Sequence, residues 1–226
     1  MSWSDKTIAA FDLETTGLSP YADEIVQIAF IYQDGTGAIL PDSWTTIVNP
    51  ERAIPSNASA IHGITTERAS KDGVNLAGAI DELFERFKDV VARDIPLIIY
   101  NAPFDLGFMQ ARAKRRNTTL PDLNIVDPLV CDRQLDKYRR GARNLETVSR
   151  HYGLFPENLH DAGVDAQLTA SLARAMSEKY AEMQDLSFTQ LHQKQIVWHK
   201  EWAESYSKFM RSKGRKSDVA ERTWPV

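Results

Sequence analysis

Apolar residues fall into two rhythms along this chain. The first third carries short, nearly continuous or alternating runs bounded by turn residues, which predict strands. One spans Thr7 to Phe11 and continues toward Gly17; a second is Ile25-Val-Gln-Ile-Ala-Phe-Ile-Tyr32. A third, Ser43 to Val48, ends at Asn49-Pro50. Asp34-Gly35-Thr36-Gly37 supplies the turn between the second and third, so the three predict an antiparallel meander.

A helical rhythm follows. Ile54-Pro55-Ser56 opens a short helical piece through Ile61, and Thr65 or Thr66 can cap the next turn. Leu76 to Ala92 places Leu76, Ile80, Leu83, Phe84, Phe87, Val90 and Val91 on one face. Pro96 to Tyr100 is almost entirely apolar, as a buried central strand is. Pro103 suits the first turn of a helix that runs to Lys114-Arg115-Arg116. Asn124 to Pro128 predicts a short edge strand, with another helix after it. Asn144 can cap a helix ended by Gly153, and Ala166 to Tyr180 forms a further helix. From Ser187 a long helix places Leu191, Gln195, Trp198, Trp202, Tyr206 and Phe209 on a stripe expected to pack on the domain or on a second copy. Strands first, then strands alternating with helices, predict a mixed sheet flanked by helices.

Composition narrows the picture. At 226 residues the chain can form one large domain with an appendage, divided here into 1–182 and 183–226. Its net charge of −4 excludes a general polycation, so nucleic-acid binding would need local basic runs. Arg112 to Arg116, Lys137 to Arg143 and Lys208 to Lys216 are such runs, each equally well read as solvated surface. The single cysteine, Cys131, excludes an intramolecular disulfide framework and a multi-cysteine zinc site, and reads as a packing residue. Asp5 and Lys6 interrupt the N-terminus before any signal-like apolar core, and no apolar run approaches the ~20 residues of a membrane span. A soluble, cytoplasmic protein is expected.

The chemistry begins in the first strand. Side chains two apart on a strand share a face, so Asp12 and Glu14 sit together at the end of an apolar element. Like charges held close repel, and burying them is costly without compensation. A divalent cation is the simplest compensation, and oxygen-only ligands suit magnesium or manganese. Thr15, Thr16 and Gly17 then break the strand with small residues that let a ligand approach the backbone. Asp105 lies in the first turn of a helix at the carboxyl end of a central strand, where an acid alone would be only a dipole partner. His160 precedes a helix, with Asp165 about one turn in. His62 taken alone reads as a helix-end residue. Four acids and one histidine thus come from three separated segments.

Those segments carry a family resemblance. Phe11-Asp12-Leu13-Glu14-Thr15-Thr16-Gly17, Asn101-Ala102-Pro103-Phe104-Asp105 and His160-Asp161-Ala162-Gly163-Val164-Asp165 resemble the three exonuclease motifs of the DnaQ-like superfamily. The spacing of His160 and Asp165 resembles its DEDDh subgroup, which includes polymerase proofreading subunits. Ile61-His62-Gly63-Ile64-Thr65 and Asn144-Leu145 also resemble family segments. Each motif alone is weak; three in order, across roughly residues 7 to 180, are specific. Tyr100 stands where many members have histidine, and Asp161 where many have arginine; neither is one of the five core positions.

The resemblance implies a ribonuclease-H-like fold with a central five-stranded mixed sheet, and hydrolysis from the 3′ end by a two-metal mechanism. It implies Asp12, Glu14, Asp105 and Asp165 as ligands of two Mg2+ ions, which Mn2+ would replace. Asp12, Glu14 and Asp165 would hold the first ion, with Asp12 bridging to a second supported by Asp105. His160 would be the general base, and Thr15, Thr16, His62, Asn101 and Phe104 substrate contacts. The expected activity is a 3′–5′ exonuclease on single-stranded DNA, in proofreading or repair, releasing nucleoside 5′-monophosphates. Its alternatives are an RNA-trimming exoribonuclease and a non-catalytic nuclease-fold binding protein. A DNA polymerase or a sliding clamp would be the protein partner; Gln184-Asp185-Leu186-Ser187-Phe188 faintly resembles a clamp-binding pentapeptide.

Overall fold

The computed structural model describes residues 2–156, 159–217, 219 and 223–225. Strands β1 (Ile8–Thr15), β2 (Ile25–Gln33) and β3 (Trp44–Asn49) form the expected antiparallel meander. Helices α1 (Ser56–His62) and α2 (Thr66–Asp72) follow, the latter capped by the Thr65 hydroxyl, which accepts from the Arg68 amide. The two-residue strand β4 (Val74–Asn75) pairs parallel to β3. It adds a sixth strand to the five expected. Next come α3 (Leu76–Ala92), β5 (Leu97–Ile98), α4 (Pro103–Arg115), β6 (Ile125–Val126) and α5 (Pro128–Leu135). The chain continues with α6 (Leu145–His151), α7 (Ala162–Lys179), α8 (Ala181–Gln184) and α9 (Phe188–Ser212). The sheet order is β4-β3-β2-β1-β5-β6, with β5 parallel to β1 and β6 parallel to β5.

Strand alternation divides the core into two layers. Ala9, Phe11 and Leu13 face one side, where they pack with Ile80, Leu83 and Phe87 of α3. Ile8 and Ala10 face the other side with Ala166, Ala170 and Ala173 of α7. Small residues on α7 let the helix lie close to the strand. Asp12 and Glu14 continue the Ile8–Ala10 face, so the strand delivers both acids to the α7 side. Val91, expected on the core face of α3, is 44% exposed; the apolar stripe narrows near the helix end.

The edge strand β6 is not left open. His192 and Gln195 of α9 reach it: Ile125 N–H donates to His192 Nδ1 at 3.0 Å, and Gln195 Nε2 donates to the Ile125 carbonyl at 2.9 Å. Edge strands need such cover because their backbone groups are otherwise unpaired. Ser187 caps α9 in a reciprocal box with Gln190. The packed stripe of α9 differs from the expected one. Leu191, His192, Gln195, His199, Ala203 and Ser207 are buried, while Tyr206 and Phe209 face outward. Trp224 is buried and packs on His192. Leu186 and Phe188 pack against the core, so the pentapeptide is committed to the chain's own fold. Cys131 is buried, in agreement with its reading as a packing residue.

Two of the basic runs are structural. Arg112 is buried against Glu24 at 2.6 Å and also donates to the carbonyls of Pro20 and Asp23. Arg115 pairs with Glu24 and Arg116 with Asp81. In the second run Arg139 and Arg143 both pair with the buried Asp132. These cations are spent on holding loops, which removes them from the phosphate-tracking set.

Candidate active site

The site lies at the carboxyl ends of the adjacent parallel strands β1 and β5, where ligands bind in open sheets of this kind. A cleft of about 410 Å³ is lined by Asp12, Glu14, Asn101, Phe104, Asp105 and Asp165, among others. Asp12 and Glu14 come from β1. Asp105 sits in the first turn of α4, with Pro103 opening the helix. Its carboxylate accepts from the Leu13 amide at 3.0 Å, which fixes it against β1. Asp165 lies in the first turn of α7, which begins at Ala162, one turn earlier than expected.

Crowding and burial act on all four acids in the same direction. Asp12 is held well above the carboxylate range, first by burial and then by Asp105, Glu14 and Asp165. Burial, with Asp165 and Asp161 adding to it, pushes Glu14 up to about 8. Asp105 is raised by burial against two backbone hydrogen bonds that lower it. Asp165 is raised by burial and lowered by the His160 amide and ring. The four acids are therefore close enough to disfavour one another's charge.

The donor set fits a hard divalent cation. Ligand atoms of Glu14, His160 and Asp165 all lie within 4.8 Å of one another. Asp165 Oδ2 accepts from the His160 amide at 3.2 Å, but Asp165 Oδ1 is buried with no hydrogen-bond partner among the described residues. A buried acceptor without a donor is costly. A cation would satisfy it and relieve the repulsion together. His160 itself is exposed and holds a left-handed backbone, φ 68°. Asn101, at the turn from β5 into α4, does the same at φ 58°. Such residues cluster at functional sites because the conformation persists only where its surroundings impose it.

The other expected contacts divide. Phe104 lines the cleft, its ring against Phe108 at 5.3 Å. Thr15 and Thr16 do not present their hydroxyls to it. Thr15 Oγ1 donates to the Gly17 carbonyl at 2.7 Å, and Thr16 Oγ1 bridges Asp23 and the Glu24 amide. They shape the loop after β1 instead. His62 ends α1 and is buried; its Nδ1 accepts from the Ile64 amide at 3.1 Å, and burial lowers its pKa.

Several positioning residues escaped sequence reasoning. Gln27 on β2 donates to Asp161 at 2.9 Å and accepts from the Ala162 amide, seating the start of α7. Asp161 caps that helix by accepting from Gly163 and Val164, which explains an acid there in place of arginine. Asp127 is wholly buried and accepts from the amides of Asn101, Ala102 and Leu129 and from Trp224 Nε1. Tyr100 donates to the Arg143 carbonyl at 2.7 Å, tying β5 to the basic loop. Signals existed for two of them. Gln27 is a lone amide in an apolar strand, and Asp127-Pro128 is a cap followed by a first-turn proline.

Fold and site together define a nuclease of the DnaQ-like class, and comparison with known proteins agrees. The family model "RNase_T: Exonuclease" matches residues 9–173, and the chain belongs to that family. The DNA polymerase III PolC-type of Listeria welshimeri is 32% identical over 184 residues, 81% of this chain and 12% of that protein. Its counterpart in Clostridium perfringens is 31% identical over 183 residues, again 12% of its length. The chain thus spans only a small part of these relatives. The structure of E. coli Exonuclease I with a dA16 oligonucleotide superposes with a TM-score of 0.68 at 20% identity, over 86% of this chain and 44% of that one. The zinc-bound form of an E. coli ExoI–ssDNA complex gives 0.65 at 20% identity, over 79% and 42%. At these identities the likeness is one of fold. No helix among the described residues is long and apolar enough to cross a membrane.

Proposed function

We propose that this chain is a metal-dependent 3′–5′ exonuclease that shortens single-stranded DNA and releases nucleoside 5′-monophosphates. The observation that carries the reading is the convergence of Asp12, Glu14, Asp105 and Asp165 with His160 in one cleft, with Asp165 Oδ1 buried and unpartnered among the described residues. The four carboxylates would hold two divalent ions, magnesium by preference with manganese substituting. Such ions, when bound, stabilise charge on the attacking and leaving oxygens and lower the pKa of the attacking water.

The chain's own residues supply the remainder. An imidazole nitrogen of His160, beside Glu14 and Asp165, takes the proton from the attacking water. Asp105, fixed by the Leu13 amide, and Asp161, seated by Gln27, hold two of the three segments in register. The exposed face of Phe104 stacks on the terminal base, and Asn101 contacts the strand beside it. DNA is favoured as substrate because the similar sequences are DNA polymerases and the E. coli fold neighbour was solved with a DNA oligonucleotide. A proofreading or repair role, alongside a DNA polymerase, accords with the same relatives.

The test is a time course on 5′-labelled single-stranded DNA with magnesium and then chelator, beside matched RNA and a 3′-blocked DNA. A descending ladder that needs magnesium and a free 3′ end supports the reading. Faster cleavage of RNA would replace DNA as the substrate, and no degradation of either polymer would leave a nuclease-fold binding protein.

A further inference from the structure

We infer that α9 carries a second nucleic-acid subsite, entered from the catalytic cleft past Arg133, that holds the strand 5′ of the nucleotides being cleaved. The inference rests on the exonuclease reading for the direction of the strand, and it extends that reading to a part of the chain beyond the matched family region.

A separate cleft of about 340 Å³ lies between α5 and α9, lined by Arg133, Lys137 and Arg143 on one side and Trp202, Tyr206 and Phe209 on the other. Arg133 and Arg143 also line the catalytic cleft, so the two depressions meet at these cations. Arg143 is held by Asp132, but Arg133 makes no ion pair among the described residues. Its guanidinium lies over the Trp202 ring, 3.6 Å from the centroid. His199, buried beneath Trp202, is pushed down to about 4 by burial and by Arg133, so it remains neutral and adds no competing charge near neutral pH.

The aromatic rings continue along the helix. Trp202 and Tyr206 stack at 5.4 Å and 19°, and Lys213 Nζ lies 5.8 Å from the Phe209 centroid. Positions 202, 206 and 209 share one helix face over about 10 Å, and Lys213 follows at the helix end. Tyr206 is 37% and Phe209 55% exposed. Cations alternating with exposed ring faces match what single strands bind: charge along the backbone and stacking that tolerates any base. Among the described residues Glu201 is the one acid lining this cleft, against Arg133 and Lys137, with Arg143 already paired to Asp132. A strand whose 3′ end occupies the carboxylate cleft must leave it on its 5′ side, and Arg133, which lines both clefts, opens that exit toward α9.

The test compares the wild-type chain with the Tyr206→Ala/Phe209→Ala double variant. Both side chains are exposed, so the fold should be retained. Affinity for a 5′-fluorescein-labelled oligothymidylate of about twenty nucleotides is read by anisotropy in chelator. The variant should bind it at least about tenfold more weakly. Affinity for a trinucleotide, and hydrolysis of thymidine 5′-monophosphate p-nitrophenyl ester, should not change. Tyr206→Trp/Phe209→Trp should restore long-strand affinity, since any ring face stacks. Unchanged affinity for the long strand overturns the subsite. So does a wild-type dimer that becomes a monomer in the double variant without loss of DNA affinity, which assigns the rings to a second copy. If the wild type fails to hydrolyse the ester, the exonuclease reading falls, while the binding comparison still decides the subsite.

Discussion

The catalytic cleft and the contact between α9 and β6 treat buried polar groups in opposite ways. Where α9 meets β6 the polar atoms are matched. Gln195 accepts from the Asp127 amide at 2.7 Å and donates to the Ile125 carbonyl, while Asp127 takes four donors. In the cleft, four acids crowd together and Asp165 Oδ1 has no donor among the described residues. Folding alone favours the first arrangement, because an unmatched buried polar atom costs about 1–3 kcal/mol. The second persists where a ligand completes it. At these two places the satisfied polar groups hold the chain together, and the crowded acids face an open cleft.

Removing a charge from the frustrated region should destroy function while sparing the fold. Asp12→Ala is expected to bring hydrolysis to background, because Asp12 lies among the other three acids. His160→Ala should lose about 10²–10⁴-fold and leave a measurable remainder, since it removes only proton transfer. Equal losses in the two variants, measured as kcat on single-stranded DNA, would break the division of roles.

The same frustration predicts a pH signature in metal-free protein. Glu14 rises from 4.5 to about 8 in the folded chain. Between those values the unfolded chain has released the proton and the folded chain retains it, so stability falls as pH rises through that window. Melting in chelator should show Tm declining from pH 5 to pH 8, with Glu14→Gln flattening the decline. Adding Mn2+ at pH 8 should raise Tm, because the ion binds the folded state. A Tm insensitive to both pH and Mn2+ would contradict the crowding.

In the satisfied region the expected effects are structural and smaller. Gln195→Ala strands the Asp127 amide and the Ile125 carbonyl, costing about 2 kcal/mol. For a chain of this size that is roughly 4–8 °C in Tm. The trinucleotide rate should remain near wild type at temperatures where the variant is folded. At the other end of the helix, Tyr206→Ala/Phe209→Ala should change stability by no more than about 0.5 kcal/mol. A large loss of Tm there would mean that those rings serve packing.

Much of this contrast was legible before the structure. The apolar runs gave the meander, and Leu76–Ala92 emerged with the bounds its periodicity required. Asp12, Glu14, Asp105 and Asp165 were visible because costly residues recur at strand and helix ends in motif order. Their meeting in one cleft depends on β5 pairing parallel to β1, a long-range fact that the mixed pattern only implied. Pairwise matching was not visible. Nothing local distinguishes Arg112, buried against Glu24, from the exposed Lys114 beside it. Likewise the α9 stripe looked uniform, yet its packed face turns away at Tyr206. Thr15 and Thr16 read as substrate contacts in a loop whose backbone a ligand can approach, and no local signal showed that their hydroxyls bond within that loop.

The most direct test of the central claim is a count of Mn2+ ions bound at pH 8 in the presence of thymidine 5′-monophosphate, by calorimetry or electron paramagnetic resonance. The account predicts two saturable ions per chain, both lost in Asp12→Asn while its Tm is unchanged or higher. Saturable binding that survives Asp12→Asn, or no binding above that of the variant, would contradict it.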